Sequence, residues 1–187
     1  MFRKLTTFAM ATLVATPAFA CNVPGIDHDM FSALKAGARN FVEPVPRDLP
    51  EVPFYDAAGN LHQLSEYIGQ PMIVTFWFPD CPNCREDLPE LDKMIGQFEG
   101  RDDVKILQIS IRNTQQEVAE YLSAKSFDNV DTNIDSGQQL FLETCLLGTP
   151  SHVLINSDGK IIETLFGAYK WSNEEMNSMI ESFIAAS

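Results

Sequence analysis

Apolar residues along the chain form either unbroken runs or helically spaced stripes, and the two patterns predict different elements. The run from Met72 to Phe78, MIVTFWF, is apolar apart from one threonine and rich in β-formers. It predicts a strand buried on both faces, because the stretch between Pro71 and Pro79 is too short for a helix. Leu88, Leu91, Met94, Ile95 and Phe98 then recur at helical spacing, with Pro89 inside the pattern as an expected kink. A second strand is predicted from Val104 to Ile111, and a second helix around Val118 and Leu122. A third strand runs from His152 to Asn156, and the turn Asn156-Ser157-Asp158-Gly159 leads to a partner strand from Ile161 to Phe166. Trp171, Met176, Met179, Ile180 and Phe183 mark a final amphipathic helix, capped by Ser172 or Asn173. Upstream, Met30, Phe31, Leu34, Ala38 and Phe41 predict a short helix within 27–41, and Pro44, Pro46, Pro50 and Pro53 an extended connection. Residues 54–61 read as a hairpin turning near Gly59, and residues 64–69 as a helical turn ending at glycine. Strand, helix, strand, helix, hairpin, helix is the order of an α/β fold, with a parallel crossover followed by antiparallel strands in one mixed sheet.

The first twenty residues break this pattern. Arg3 and Lys4 precede an apolar run from Leu5 to Ala15, Pro17 ends it, and Ala18-Phe19-Ala20 follows. That arrangement predicts a signal peptide over 1–20, a retained membrane anchor being the alternative. Lipid attachment at Cys21 is the less favoured variant, because Ala18 and Phe19 match the lipoprotein signal poorly. The predicted organisation is therefore a signal peptide at 1–20, a helical and proline-rich extension at 21–49, and one domain at 50–187, exported to the periplasm. Hydrophobic residues make up 45% of the 187, enough to fill that domain's core. A net charge of −13 with no basic stripe argues against nucleic acid as a partner and against an anionic membrane surface.

Export changes what the cysteines mean, because disulfides persist outside the cytosol. There are four: Cys21, Cys81, Cys84 and Cys145. A bridge between Cys81 and Cys84 closes too small a loop to act as a staple, so chemistry is the better explanation. Placed where a buried strand meets a helix, Cys81 receives unpaired N–H groups and the positive end of the helix dipole. Both favour the nucleophilic thiolate. Cys84, about one turn on and less exposed, is then the resolving thiol. A zinc clip lacks a second ligand pair, and His28, His62 and His152 are scattered as surface or packing residues. No metal or other cofactor is expected, although a Cu(I) carrier and an inert structural disulfide remain alternatives. Cys145 is either a bridge to Cys21 or a small buried hydrophobe.

The segment FWFPDCPNCREDLPEL resembles the thioredoxin-like domain of the TlpA/ResA/DsbE group of exported thiol–disulfide oxidoreductases. The likeness spans residues 50–185 and includes Pro89, Leu147-Gly148-Thr149-Pro150 and the Asp158-Gly159-Lys160 turn. It implies a thioredoxin-like three-layer fold with a central mixed sheet and an N-terminal β-hairpin extension. It implies a cis bond at Thr149-Pro150, and a substrate-binding surface made by Thr149, Pro150, Pro82 and Asn83. It also implies protein disulfides as substrates, a membrane thiol donor of the DsbD/CcdA type, and targets in cytochrome c or copper-centre maturation. Two positions depart from the wider pattern: Asp80 stands where tryptophan is common, and Thr75 where thioredoxins keep a buried aspartate. Asp87 matches an acid that the group often carries three residues after the second cysteine. It is a candidate for proton transfer at Cys84, the alternative being a solvated acid of the first helical turn. Asp80, Glu86 and Asp87 together place anions near Cys81 and disfavour its thiolate, which points to a reductase. A disulfide oxidase or isomerase is the opposite reading, and a non-enzymatic Cu(I) or thiol chaperone a third.

Overall fold

The structure is a computed structural model and describes residues 46–187. The signal segment, Cys21, His28 and the helix expected within 27–41 lie outside the described residues. In chain order the elements are β1 (Arg47–Asp48), β2 (Phe54–Tyr55), β3 (Leu61–His62), a 3-10 turn (Leu64–Tyr67), β4 (Met72–Trp77), α1 (Pro82–Gln97) and β5 (Lys105–Ile111). They continue with α2 (Gln115–Lys125), β6 (Asn133–Asp135), α3 (Gln139–Glu143), β7 (Ser151–Ile155), β8 (Lys160–Phe166) and α4 (Glu174–Ala186).

One eight-stranded sheet runs in the order β1-β8-β7-β4-β5-β6-β2-β3. β4 pairs parallel to β5 and antiparallel to β7, so the sheet is mixed and β4 lies inside it. Every residue of β4 is buried, which is why the run shows no alternation. Its pleat nevertheless sorts side chains to two faces. Ile73 and Trp77 join Leu88, Leu91 and Met94 of α1, Val118 and Leu122 of α2, and Ile180 and Phe183 of α4. Val74 and Phe76 join Phe54, Leu64, Leu140 and Phe141 on the opposite side. These two cores with the sheet between them make three layers.

Three short elements have no counterpart in the hydrophobic pattern: β1, β6 and α3. Their few residues give no period to read. β1 adds antiparallel to β8, so the sheet takes up residues within the proline-rich connection. Trp171 does not belong to the last helix; it precedes the cap residue Asn173, whose side chain accepts the N–H of Met176 at 2.8 Å. Ser172, the other cap candidate, donates instead to Glu90 Oε2.

Candidate active site

β4 and α1 are joined by Phe78, Pro79 and Asp80, and the helix opens on Cys81 as its cap. Pro82 occupies the first helical position, where its fixed φ suits the helix and its missing N–H leaves no donor unpaired. The Cys81 sulfur accepts the N–H of Cys84 at 3.1 Å, and the two cysteines are joined as a disulfide. Arg85 holds the loop from behind, donating through Nε to Pro79 O at 2.9 Å and through Nη2 to Asp80 Oδ1 at 3.1 Å.

The turn before β7 covers the same sulfur from the other side. The Thr149–Pro150 bond is cis. Thr149 Oγ1 donates to Cys81 Sγ at 3.4 Å, and Thr149 O lies 3.5 Å from it. Pro82 and Asn83 are exposed beside the pair, as are Leu147 and Gly148. Cys81 keeps 4% of its surface exposed and Cys84 none. The expected ranking of the two thiols is present, but in the oxidised form Cys81 is far less open than its position at a helix tip suggests. Its cover is the Thr149 turn.

Asp87 follows one turn after Cys84 on the same face of α1. It is buried, which rules out a solvated first-turn acid. Its Oδ1 accepts the N–H of Tyr169 at 3.0 Å and the indole N–H of Trp171 at 2.8 Å. Burial pushes its pKa up to about 7 against the downward pull of those two bonds. Asp87 is therefore not a fixed anion beside Cys81 at neutral pH. Its other oxygen, Oδ2, is buried without a hydrogen bond and lies 3.5 Å from His152 Nε2.

His152, expected as a surface or packing residue, packs in the core beside Asp87. It is fully buried and sits opposite Thr75 in the β4–β7 register. Its Nδ1 is 2.9 Å from Thr75 Oγ1 and its Nε2 3.2 Å from Gly167 O. Trp171 packs edge-on at 4.5 Å between ring centres, and Tyr169 at 5.8 Å. Burial pushes the His152 pKa down to about 3. The available signal was a histidine within the all-buried strand that follows Pro150; nothing local named its partners. His62, by contrast, lies toward the surface between Asp56 and Glu66. Cys145 is disulfide-bonded and has a left-handed backbone with φ of 60°, whereas Cys21 lies outside the described residues.

The model of the AhpC/TSA family matches residues 45–164, more than half of the chain. The thiol-disulfide oxidoreductase ResA of Bacillus thuringiensis subsp. konkukian is 21% identical over 141 residues, which cover 75% of this chain and 76% of that protein. The sporulation thiol-disulfide oxidoreductase A of Bacillus subtilis is 28% identical over 102 residues, covering 53% and 61%. Among solved structures, a Chlorobium tepidum protein assigned as the thiol:disulfide interchange protein DsbE superposes with a TM-score of 0.64 at 17% identity, covering 74% of this chain and 96% of that one. StoA from Bacillus subtilis superposes with a TM-score of 0.57 at 21% identity, covering 71% and 94%.

Proposed function

The chain belongs to the AhpC/TSA family, and from that premise we propose that it is an exported thiol–disulfide oxidoreductase which reduces disulfides of partner proteins. The observation that carries the reading is the Cys81–Cys84 pair at the start of α1, facing the Thr149–Pro150 turn. Relatives in the comparison are named thiol-disulfide oxidoreductases, and one similar solved structure is described as secreted. Among the described residues no helix is long and apolar enough to cross a membrane.

In the reduced protein, Cys81 thiolate attacks a partner disulfide. One sulfur of the partner bonds to Cys81 and the other leaves as thiolate. The Cys84 thiol gives its proton to the Asp87 carboxylate and attacks the Cys81 sulfur. The Cys81–Cys84 bond forms, the bond from Cys81 to the partner breaks, and the partner departs with both electrons. Thr149, Pro150, Pro82 and Asn83 border Cys81 and form the surface on which the partner chain rests. Renewal of the dithiol needs an outside donor, for which a membrane thiol protein of the DsbD/CcdA type is the candidate. Cytochrome c or copper-centre cysteines are candidate targets.

The reducing direction is supported by the setting of Cys81. Its sulfur is poorly hydrated, and that burial disfavours the thiolate against the help of the Cys84 N–H and the Thr149 hydroxyl that donate to it. A second bridge from Cys145 to Cys21 belongs to the same proposal, as a staple apart from the exchanging pair.

The test is trapping. A Cys84→Ser variant, reduced and mixed with a disulfide-containing protein, is expected to accumulate a mixed disulfide on Cys81. A Cys81→Ser variant is expected to accumulate none. Equal trapping by both variants overturns the assignment of nucleophile and resolving thiol.

A further inference from the structure

We propose that His152 is a positioning residue for Asp87: its Nε2–H stands between Gly167 O and Asp87 Oδ2 and turns to Oδ2 whenever Asp87 is a carboxylate. The proposal deepens the reading above, since it rests on Asp87 as the proton acceptor for Cys84.

The tautomer follows from what surrounds the ring. Nε2 faces two oxygens, Gly167 O at 3.2 Å and Asp87 Oδ2 at 3.5 Å. A backbone carbonyl only accepts, and an ionised carboxylate only accepts. Gly167 O, the nearer of the two, accepts in either state of Asp87, and a bare nitrogen lone pair facing it would be repelled and unsatisfied, so Nε2 carries the hydrogen. Nδ1 is then the acceptor, and the Thr75 hydroxyl 2.9 Å away must donate to it. Thr75, in the place where thioredoxins keep a buried acid, thus fixes which nitrogen of His152 is the donor. Trp171, edge-on against the ring, restricts it to small rotations.

The oxidised structure corresponds to one end of this motion. With the disulfide formed, the proton from Cys84 has passed to Asp87; because Oδ1 accepts two N–H groups the proton sits on Oδ2, which then takes no hydrogen bond from Nε2. Nε2 is accordingly nearer Gly167 O, and Asp87 Oδ2 is buried without a hydrogen bond. Before the proton moves, Asp87 is a carboxylate. A buried carboxylate oxygen without a donor is costly, and Nε2–H stands 3.5 Å away. No electrons pass through His152 and its proton count does not change; only the oxygen that receives its N–H changes.

The groups facing Asp87 are few. Cys84 precedes it on α1, while Glu90 of the same helix is turned to Ser172 and Lys93. β7 brings His152, and β4 brings Thr75 behind it. The segment between β8 and α4 brings the Tyr169 N–H and Trp171, with Lys170 exposed. Of these, His152 brings its Nε2 to 3.5 Å from Oδ2.

Two measurements test the proposal. Nitrogen-15 NMR of His152 in the oxidised and the reduced protein is expected to show hydrogen on Nε2 and a bare Nδ1 from about pH 5 to 8, where a normal histidine would titrate. Hydrogen on Nδ1, or an imidazolium in that range, overturns it. Carbon-13 NMR of the Asp87 carboxyl reads its titration directly. In His152→Leu the midpoint is expected to rise by about one pH unit, the scale of one hydrogen bond, and His152→Gln is expected to recover part of that shift. An unchanged midpoint in His152→Leu, or no recovery with glutamine, sinks the proposal. If His152→Leu does not fold, Thr75→Val removes the hydroxyl that fixes the tautomer; a smaller rise is then expected, and none refutes the assignment. The parent reading fails differently: Asp87→Asn resolving mixed disulfides at the unaltered rate removes Asp87 as acceptor without bearing on the His152 tautomer.

Discussion

Cys81 is subject to opposed influences, and their balance sets the direction of electron flow. The N–H of Cys84 and the start of α1 favour a thiolate. Burial under the Thr149 turn disfavours it and Asp80 adds an anion, while the Thr149 hydroxyl that donates to the sulfur acts the other way. That anion acts weakly, because Asp80 is exposed and already paired with Arg85. Asp87 was counted from sequence among the anions, but its burial keeps it protonated up to about pH 7. Desolvation is thus the stronger term against the thiolate. The alkylation rate of reduced Cys81, followed against pH, is expected to place its midpoint above the range of strongly oxidising thiols. A midpoint near about 4, in the strongly oxidising range, refutes the reducing direction. The two cysteines were legible from their C-x-x-C spacing between a buried strand and a helix, and Asp87 from the resemblance to the exported group. His152, Tyr169 and Trp171 were not, because they reach Asp87 from chain positions up to 84 residues away. Sequence spacing says which side chains share a face of a helix, but not what another segment lays over that face.

At the scale of elements, legibility followed length and period. β4, α1, β5, α2, β7, β8 and α4 each bury a side chain pattern long enough to count, and each appears where the pattern put it to within a few residues. β6 was lost because its sequence, Asn-Ile-Asp, is polar on either side of one apolar residue; all three are buried all the same. Asn133 is held there by a bond from its Nδ2 to Gln108 O. The turn between β7 and β8 was read correctly from Asp158-Gly159, and the structure gives its reason. Gly159 has φ of 75°, and a Cβ there would stand 2.8 Å from Ile68 Cδ1. Ile68 is 52% exposed and can swing aside, so the backbone conformation is the larger obstacle. Gly159→Ala is expected to lower stability by roughly 1–2 kcal/mol, measured as a shift in the urea midpoint at constant slope. Adding Ile68→Ala is expected to recover little of the loss. Full recovery would assign the cost to the overlap instead.

Across the whole molecule, the same buried pair governs how stability responds to acid. The formal net charge of −13 counts Asp87 as ionised, yet Asp87 and His152 are both buried and neutral in the folded oxidised form through most of the acid range. Unfolded, Asp87 loses its proton near 3.8 and His152 gains one near 6.5. Folded, the corresponding values are about 7 and about 3. Between about pH 4 and 6.5 each state therefore holds one proton on the pair, and the pair adds no slope to stability. Single substitutions uncover opposite slopes. In Asp87→Asn, His152 is left with a folded pKa below its unfolded one; its contribution is complete above 6.5 and is lost as pH falls toward 3. In His152→Leu, Asp87 is left with a folded pKa above its unfolded one; its contribution is complete below 3.8 and is lost as pH rises to 7 and beyond. Urea unfolding of the oxidised proteins, taken as the difference from wild type, is expected to rise with pH for Asp87→Asn and fall for His152→Leu. Each slope should reach at most about 1.4 kcal/mol per pH unit. Taking differences removes the slopes due to Asp56 and Glu90, whose pKa values their hydrogen bonds hold low. Difference curves that stay flat for both variants would mean that folding shifts neither group, and the neutral buried pair would have to be abandoned.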